Sequence, residues 1–170
     1  MNGAKEELFI ITENVREWQL YNIYGIRKDV HQWMTRRFPA AILHHNYSVR
    51  IKLPAGAADR LLVDVHSDEF SIIAIKGNKL VIAQTYSYSS HSDILYYLLK
   101  ICEQYNFSQR ETELCIAGLI EKKSALYHEL TQYFLNLAFR EPTWEVPGMD
   151  YDEYSSHFFT PLNDLARCVS

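Results

Sequence analysis

The residues best equipped for chemistry lie in the run Asp64-Val65-His66-Ser67-Asp68-Glu69. An imidazole among carboxylates has the donor types that a divalent cation or a proton transfer needs. His66 with Asp64 and Asp68 is the most ligand-like grouping in the chain, although the run reads more simply as a solvated turn between two strands. The remaining candidates are weaker. His44 and His45 are neighbours in an expected strand and so point to opposite faces, which prevents them from chelating one metal. His91 falls in the cap region of a helix, and His128 sits at the edge of a helical apolar face. Ser124 has no histidine partner and is explained as a helix cap. Asp150, Asp152 and Glu153 form an acidic run that lacks the glycine and terminal glutamate of a calcium loop. Neither a Gly-x-x-x-x-Gly-Lys loop nor a Gly-x-Gly-x-x-Gly turn is present. From these residues alone, no catalytic and no metal-ligating residue is expected.

Bulk properties narrow the classes further. The chain has 170 residues, 48% apolar and 14% aromatic, enough for an ordered core in one domain or two small lobes. Its twelve tyrosines fall mostly inside expected elements, where they serve packing first and a protein-binding face second. A net charge of −4 opposes nucleic-acid binding, which needs a concentrated basic footprint. Arg36-Arg37 and Lys122-Lys123 read as solvated decoration. Cys102, Cys115 and Cys168 are odd in number and widely spaced, so neither a disulfide framework nor a paired-cysteine zinc site is expected. Cys102 and Cys115 fall on apolar faces, where thiols are buried and inert. Unpaired thiols suit a reducing cytosol. No run reaches the ~18 apolar residues of a membrane span, and Met1 to Leu8 lacks the apolar core of a signal peptide. The cytoplasm is therefore the expected location.

The elements that would position these residues are clearest from Leu61 to Leu137. Leu61–Val65, Phe70–Ile75 and Leu80–Tyr86 read as three antiparallel strands. The last two are joined by a tight turn at Gly77-Asn78, since both residue types tolerate positive φ. Ser90 with Asp93 three places on signals a capped helix start, followed by the apolar face of Ile94, Leu95, Leu98, Ile101, Cys102 and Tyr105. Leu114–Ala117 is a compact buried strand ending at Gly118. A last strong helix is expected from Ser124, burying Leu126, Tyr127, Leu130, Tyr133, Phe134 and Leu137.

The flanks are less regular. Residues Met1 to Arg16 carry weak signals. Trp18–Tyr24 alternates as a half-buried strand that Gly25 ends. Val30, Trp33, Met34 and Phe38 have helical spacing, closed by Pro39. Ala40–His44 suggests a second short strand, and Asn46 or Ser48 could cap a short helix before Pro54, although Val49, Ile51 and Leu53 also alternate. Pro54–Ala58 reads as the boundary between two halves. Beyond Arg140, Trp144, Val146 and Pro147 suggest an extended segment, and His157-Phe158-Phe159 to Leu165 a short closing helix.

A set of residues in fixed order carries a family resemblance. They are Trp18 to Tyr24 with Phe38-Pro39, His45 and Ser48, Lys79-Leu80, Asp93 with Tyr96-Tyr97, and Glu103-Gln104. Ala117-Gly118, Ser124 to Tyr127, Tyr133 and His157-Phe158-Phe159 complete it. Together, from about Trp18 to Cys168, the chain resembles the uncharacterised Bacteroidetes domain-of-unknown-function family 3822. The resemblance implies an actin-like ATPase fold, which is an α/β, ribonuclease H-like mixed sheet in a duplicated unit. Its second half would be a three-stranded antiparallel meander followed by helix, strand and helix. It also implies that family members extend further at the amino end. On that reading residues 1–56 are a partial first lobe lacking its amino-terminal meander, 57–140 are the second lobe, and 141–170 are a closing extended segment and short helix.

In active members of that fold, hairpins resembling Asp-x-Gly-x-x-Thr cradle phosphate and hold hydrated magnesium. Carried onto this chain, the resemblance makes Asp64, His66 and Gly118 the cofactor-binding residues if ATP and magnesium are bound. Yet His66 replaces the glycine, and Asp68 and Glu69 add charge that repels a triphosphate. Leu119 puts bulk beside Gly118, and the first phosphate hairpin is absent. The expectation is therefore a degenerate, non-catalytic protein-binding or scaffolding module with no cofactor. It should bind an unknown protein partner or form a homodimer, with no membrane and no nucleic acid. An active assembly ATPase or phosphotransferase is the alternative.

Overall fold

The computed structural model describes residues 7–52, 58–143 and 154–166. The chain divides into two compact units, Met1–Lys52 and Leu53–Ser170. The boundary expected at Pro54–Ala58 falls mainly outside the described residues.

The second unit is built on a five-stranded mixed sheet. Three strands, β3 (Arg60–Val65), β4 (Glu69–Lys76) and β5 (Lys79–Ser87), form the expected antiparallel meander. Two more, β6 (Glu113–Gly118) and β7 (Asn136–Phe139), add in parallel on the far side of β3, giving the order β5-β4-β3-β6-β7. Every residue of β3 after Arg60, and every residue from Phe70 to Ile75 in β4, is buried, which explains why these strands read as continuous apolar runs. The β4–β5 turn has φ of +51° at Gly77 and +58° at Asn78, the double left-handed conformation that suits a twisted two-residue hairpin.

Helices supply the crossovers between the parallel strands. Helix α3 (His91–Tyr105) begins with the expected capping box. Ser90 and Asp93 each satisfy the other's backbone donor, and the Asp93 carboxylate accepts from the amides of Ser89 and Ser90 at 2.9 Å. Ser124 caps α4 (Ala125–Tyr133), its hydroxyl accepting from the Tyr127 amide at 3.2 Å. Ile94, Leu98, Ile101 and Cys102 of α3 and Leu126 and Leu130 of α4 pack with Leu61, Val63, Phe70, Ile72, Leu114 and Ile116 into one apolar core. Burying a side chain such as Phe70 contributes about 2–3 kcal/mol.

Helix α4 is shorter than its periodicity suggests. It ends at Tyr133 because Phe134 turns to φ −110°, ψ 116°, and Leu137 belongs to β7. Phe134 is buried, while Tyr133 remains 43% exposed. The closing segment forms a 3₁₀ turn over Ser156–Phe159 and then α5 (Thr160–Ala166), as expected. The expected extended segment at Trp144, Val146 and Pro147 lies outside the described residues, as do Asp150, Asp152, Glu153 and Cys168.

In the first unit, β1 (Leu8–Val15) and β2 (Leu20–Arg27) form an antiparallel hairpin. The weak signals over Met1 to Arg16 conceal the first of these strands, and the alternation places the second too early, at Trp18, with an end at Gly25. Trp18 instead closes a 3₁₀ turn, and β2 continues through Gly25 to Arg27. Helix α1 (Lys28–Arg37) follows with no buried residue, so Val30, Trp33 and Phe38 are exposed despite their spacing. The strand expected at Ala40–His44 does not form, because no neighbouring strand pairs with that stretch among the described residues. Helix α2 (Asn46–Arg50) does form, capped by His45 rather than by Asn46 or Ser48.

Candidate functional site

The carboxyl ends of β3, β6 and β7 meet at one edge of the second unit's sheet, the edge where open α/β sheets place their ligands. Asp64 sits one residue before the end of β3 and is fully buried. Arg140 follows β7 directly and is anchored there by its amide, which donates to the Ile116 carbonyl at 2.8 Å. Its Nη2 donates to Asp64 Oδ1 at 2.7 Å, and its Nη1 donates to Asp164 Oδ2 of α5. One guanidinium thus holds two buried carboxylates from elements far apart in the chain.

Strand β6 lies between β3 and β7, so the Arg140 side chain must cross it. The residue of β6 that pairs with Asp64 is Ala117, whose methyl group leaves the crossing open. Burial works against the charge on Arg140, but Asp64 and Asp164 outweigh it and hold the guanidinium above its ordinary value. An isolated buried carboxylate is costly, and a hydrogen-bonded counter-ion offsets that cost. The closing segment strengthens the arrangement. Thr160 donates from its hydroxyl to the Arg140 carbonyl, and Thr143 donates to Asn163 Oδ1 at 3.2 Å. His157 is buried, stacks on Phe139 with ring centroids 3.9 Å apart, and places Nε2 2.6 Å from the Ile120 carbonyl. Because the carbonyl only accepts, Nε2 carries the proton.

The other two sequence-derived site residues have different surroundings. His66 is half-buried in the β3–β4 turn, where its amide donates to the Glu69 carbonyl at 2.9 Å and its carbonyl accepts from the Tyr88 hydroxyl at 2.6 Å. Asp68 and Glu69 are exposed. Gly118 ends β6 at φ +84°, and a Cβ there would fall 2.2 Å from the Val65 carbonyl oxygen. The glycine is required by strand-to-strand packing, since the Leu119 amide donates to that same carbonyl at 2.8 Å. Leu119 itself is 60% exposed. Asp64 and Gly118 therefore share the strand-end edge, where one guanidinium bridges two carboxylates. Such an arrangement holds β3, the end of β7 and α5 together.

Arg140, Asp164 and His157 carry no sequence signal that marks them as site residues. Arg140 lies 76 residues from Asp64 and follows an apolar run with no recognisable spacing. The remaining candidates are displaced or ordinary. His44 and His45 are not on a strand, so the opposite-face argument lapses, and His45 serves as a helix cap. Ser124 is a cap, as expected, and His128 is exposed. Cys102 is buried, with its thiol pushed up to about 11 by burial. Cys115 is only half-buried, a correction, although burial also raises its thiol. Among the described residues, no helix is long and apolar enough to cross a membrane.

The sequence model of a family described as a protein of unknown function (DUF3822) matches residues 2–137. A solved structure from Bacteroides thetaiotaomicron, described as a protein with actin-like ATPase fold and unknown function, is 21% identical with a TM-score of 0.71. That match covers 89% of this chain and 59% of the other, so the chain spans less than two thirds of that relative's length. A second, described as the PilM-PilN type IV pilus biogenesis complex, is 12% identical with a TM-score of 0.59, covering 98% of this chain and 68% of the other. No curated protein matches the chain. The fold is actin-like, as the family resemblance implies: a mixed sheet of an antiparallel meander with parallel additions.

Proposed function

Because the chain belongs to the DUF3822 family of proteins of unknown function, we propose that it is a non-catalytic protein-binding or scaffolding module built on an actin-like ATPase fold. One observation carries this reading. The carboxylate that would face magnesium, Asp64, already accepts a hydrogen bond from Arg140 at 2.7 Å. A divalent cation there would have to displace a guanidinium fixed to a second buried carboxylate, Asp164. Beside Gly118, Leu119 carries a branched side chain where the resemblance places the adenosine of a bound nucleotide. These residues do not fit a magnesium nucleotide, and we assign no reaction step to one.

The two units are read as a partial first lobe and a second lobe, the latter carrying the closing segment, acting in the cytoplasm. Partner binding is supported by two features. One structural neighbour is described as a complex of two pilus biogenesis proteins, an instance of this architecture working through protein association. In addition, β5 forms one edge of the sheet, with no strand beyond it among the described residues, a ready template for pairing.

Thermal unfolding with and without millimolar magnesium-ATP tests the proposal. A ligand that binds only the folded state raises its melting temperature, so the expected result is no shift. A shift that grows with nucleotide and disappears in Asp64→Asn would establish the ATP-binding alternative instead. Light scattering tests self-association. A dimer mass is expected, and a monomer at all concentrations would remove the homodimer from the proposal.

A further inference from the structure

The first unit contains a second cluster of titratable groups, centred on Glu13 of β1. Its Oε1 accepts from the Tyr24 hydroxyl of β2 and from the His45 amide, both at 2.7 Å. Ser48 also hydrogen-bonds to Glu13, and Asn22 donates to the Ser48 hydroxyl at 2.8 Å. His44 approaches from the other side, its Nδ1 3.9 Å from Glu13 Oε2. Burial opposes the charge on Glu13, but these hydrogen bonds outweigh it and keep the carboxyl below its ordinary range.

Within this cluster His45 has an unusual task. It is the N-cap of α2, and the cap acceptor is its ring nitrogen. The Tyr47 amide donates to Nδ1 at 3.1 Å. Caps are normally Ser, Thr, Asp or Asn, whose oxygens accept at neutral pH and below. An imidazole accepts at Nδ1 only while that nitrogen is bare. The ring is half-buried between Tyr24 and Tyr47, with centroid distances of 4.8 Å and 5.0 Å. The ionisable groups facing it are Glu13 from β1, Tyr24 from β2, Tyr47 from α2 and the adjacent His44.

We propose that the start of α2 is an acid-released latch, closed while His45 Nδ1 accepts from the Tyr47 amide and opened when Nδ1 takes up a proton. Protonation places two donors against each other, and the cap is lost. The latch closes the last helix of the first unit, a few residues before the second unit begins at Leu53. Burial pushes the imidazole below its ordinary value, with the charge of Glu13 opposing in part. The cap's contribution is therefore complete above the unfolded imidazole value of about 6.5 and lost as pH falls through the lower folded value.

Amide exchange of Tyr47, read by NMR on the full chain and corrected for intrinsic rates, tests the latch. From pH 7.5 down through the titration of His45, followed by its own ring signals, the protection is expected to fall about fivefold, the size of a lost N-cap. His45→Asn supplies an acceptor that does not titrate and should flatten the response, whereas His44→Gln should preserve it. A flat response in the unsubstituted chain, a persistent fall in His45→Asn, or its loss in His44→Gln overturns the proposal. Ring nitrogen shifts give a reading that needs no variant. A bare Nδ1 at pH 8 that titrates with the Tyr47 amide supports the latch, and a protonated Nδ1 at pH 8 sinks it.

Discussion

Arg140 and Asp64 form a part-buried ion pair across an intervening strand, with Nη2 donating to Oδ1 at 2.7 Å and Asp64 wholly excluded from solvent. The same guanidinium serves Asp164. Replacing Arg140 with Met removes a cationic partner from two buried carboxylates, and breaking a buried pair from one side costs about 3–5 kcal/mol. Asp64→Asn should cost less, because Arg140 keeps Asp164. Urea unfolding measures both. Equal losses in the two variants would show that the second carboxylate adds nothing.

The two glycines with positive φ should respond very differently to alanine. Gly77 has φ +51° and nothing within 4 Å of where a methyl group would stand, so Gly77→Ala meets only the left-handed backbone penalty, about 1 kcal/mol. Gly118 combines φ +84° with a carbonyl oxygen 2.2 Å from that position. There alanine must part β6 from β3, and a loss of about 3 kcal/mol or more is expected. Chemical denaturation of both variants decides the matter, and similar losses would mean the strand ends move apart easily.

How far these relationships are legible in the sequence depends on how local their causes are. The β3–β5 meander is readable because two strands buried on both faces leave continuous apolar runs, and because Gly77-Asn78 encodes its own turn. Ser90 with Asp93 and Ser124 are readable because caps act within three residues. Ala40–His44 misleads because an apolar run becomes a strand only beside a pairing partner, which the run itself does not reveal. Leu137 falls at helical spacing after Phe134, although the backbone has already turned extended. The Arg140–Asp64 pair is invisible because its partners meet only after β7 docks on β6.

The thiols test the depth of the core independently. Burial pushes Cys102 up to about 11, so at pH 8 only about one molecule in a thousand carries its thiolate. In a Cys168→Ser background, a disulfide reagent should modify Cys102 only at the rate of global opening. Half-buried Cys115 should react sooner. Rapid native labelling of both thiols would show that the α3 face of the core opens locally.

Ala117 gives the most direct test of how the strand-end cluster is assembled. It pairs with Asp64 in the parallel β3–β6 register and is fully buried. The Arg140 side chain has to pass it to reach Asp64. Ala117→Leu inserts a branched side chain into that path, and overpacking alone costs about 1–3 kcal/mol. If the ion pair is also broken, the loss should approach that of Arg140→Met. Combining the two substitutions should then cost clearly less than the sum of the separate losses, because neighbours sharing one contact are not additive. Strict additivity in that double-mutant cycle would mean that Arg140 reaches Asp64 by a route that does not cross Ala117.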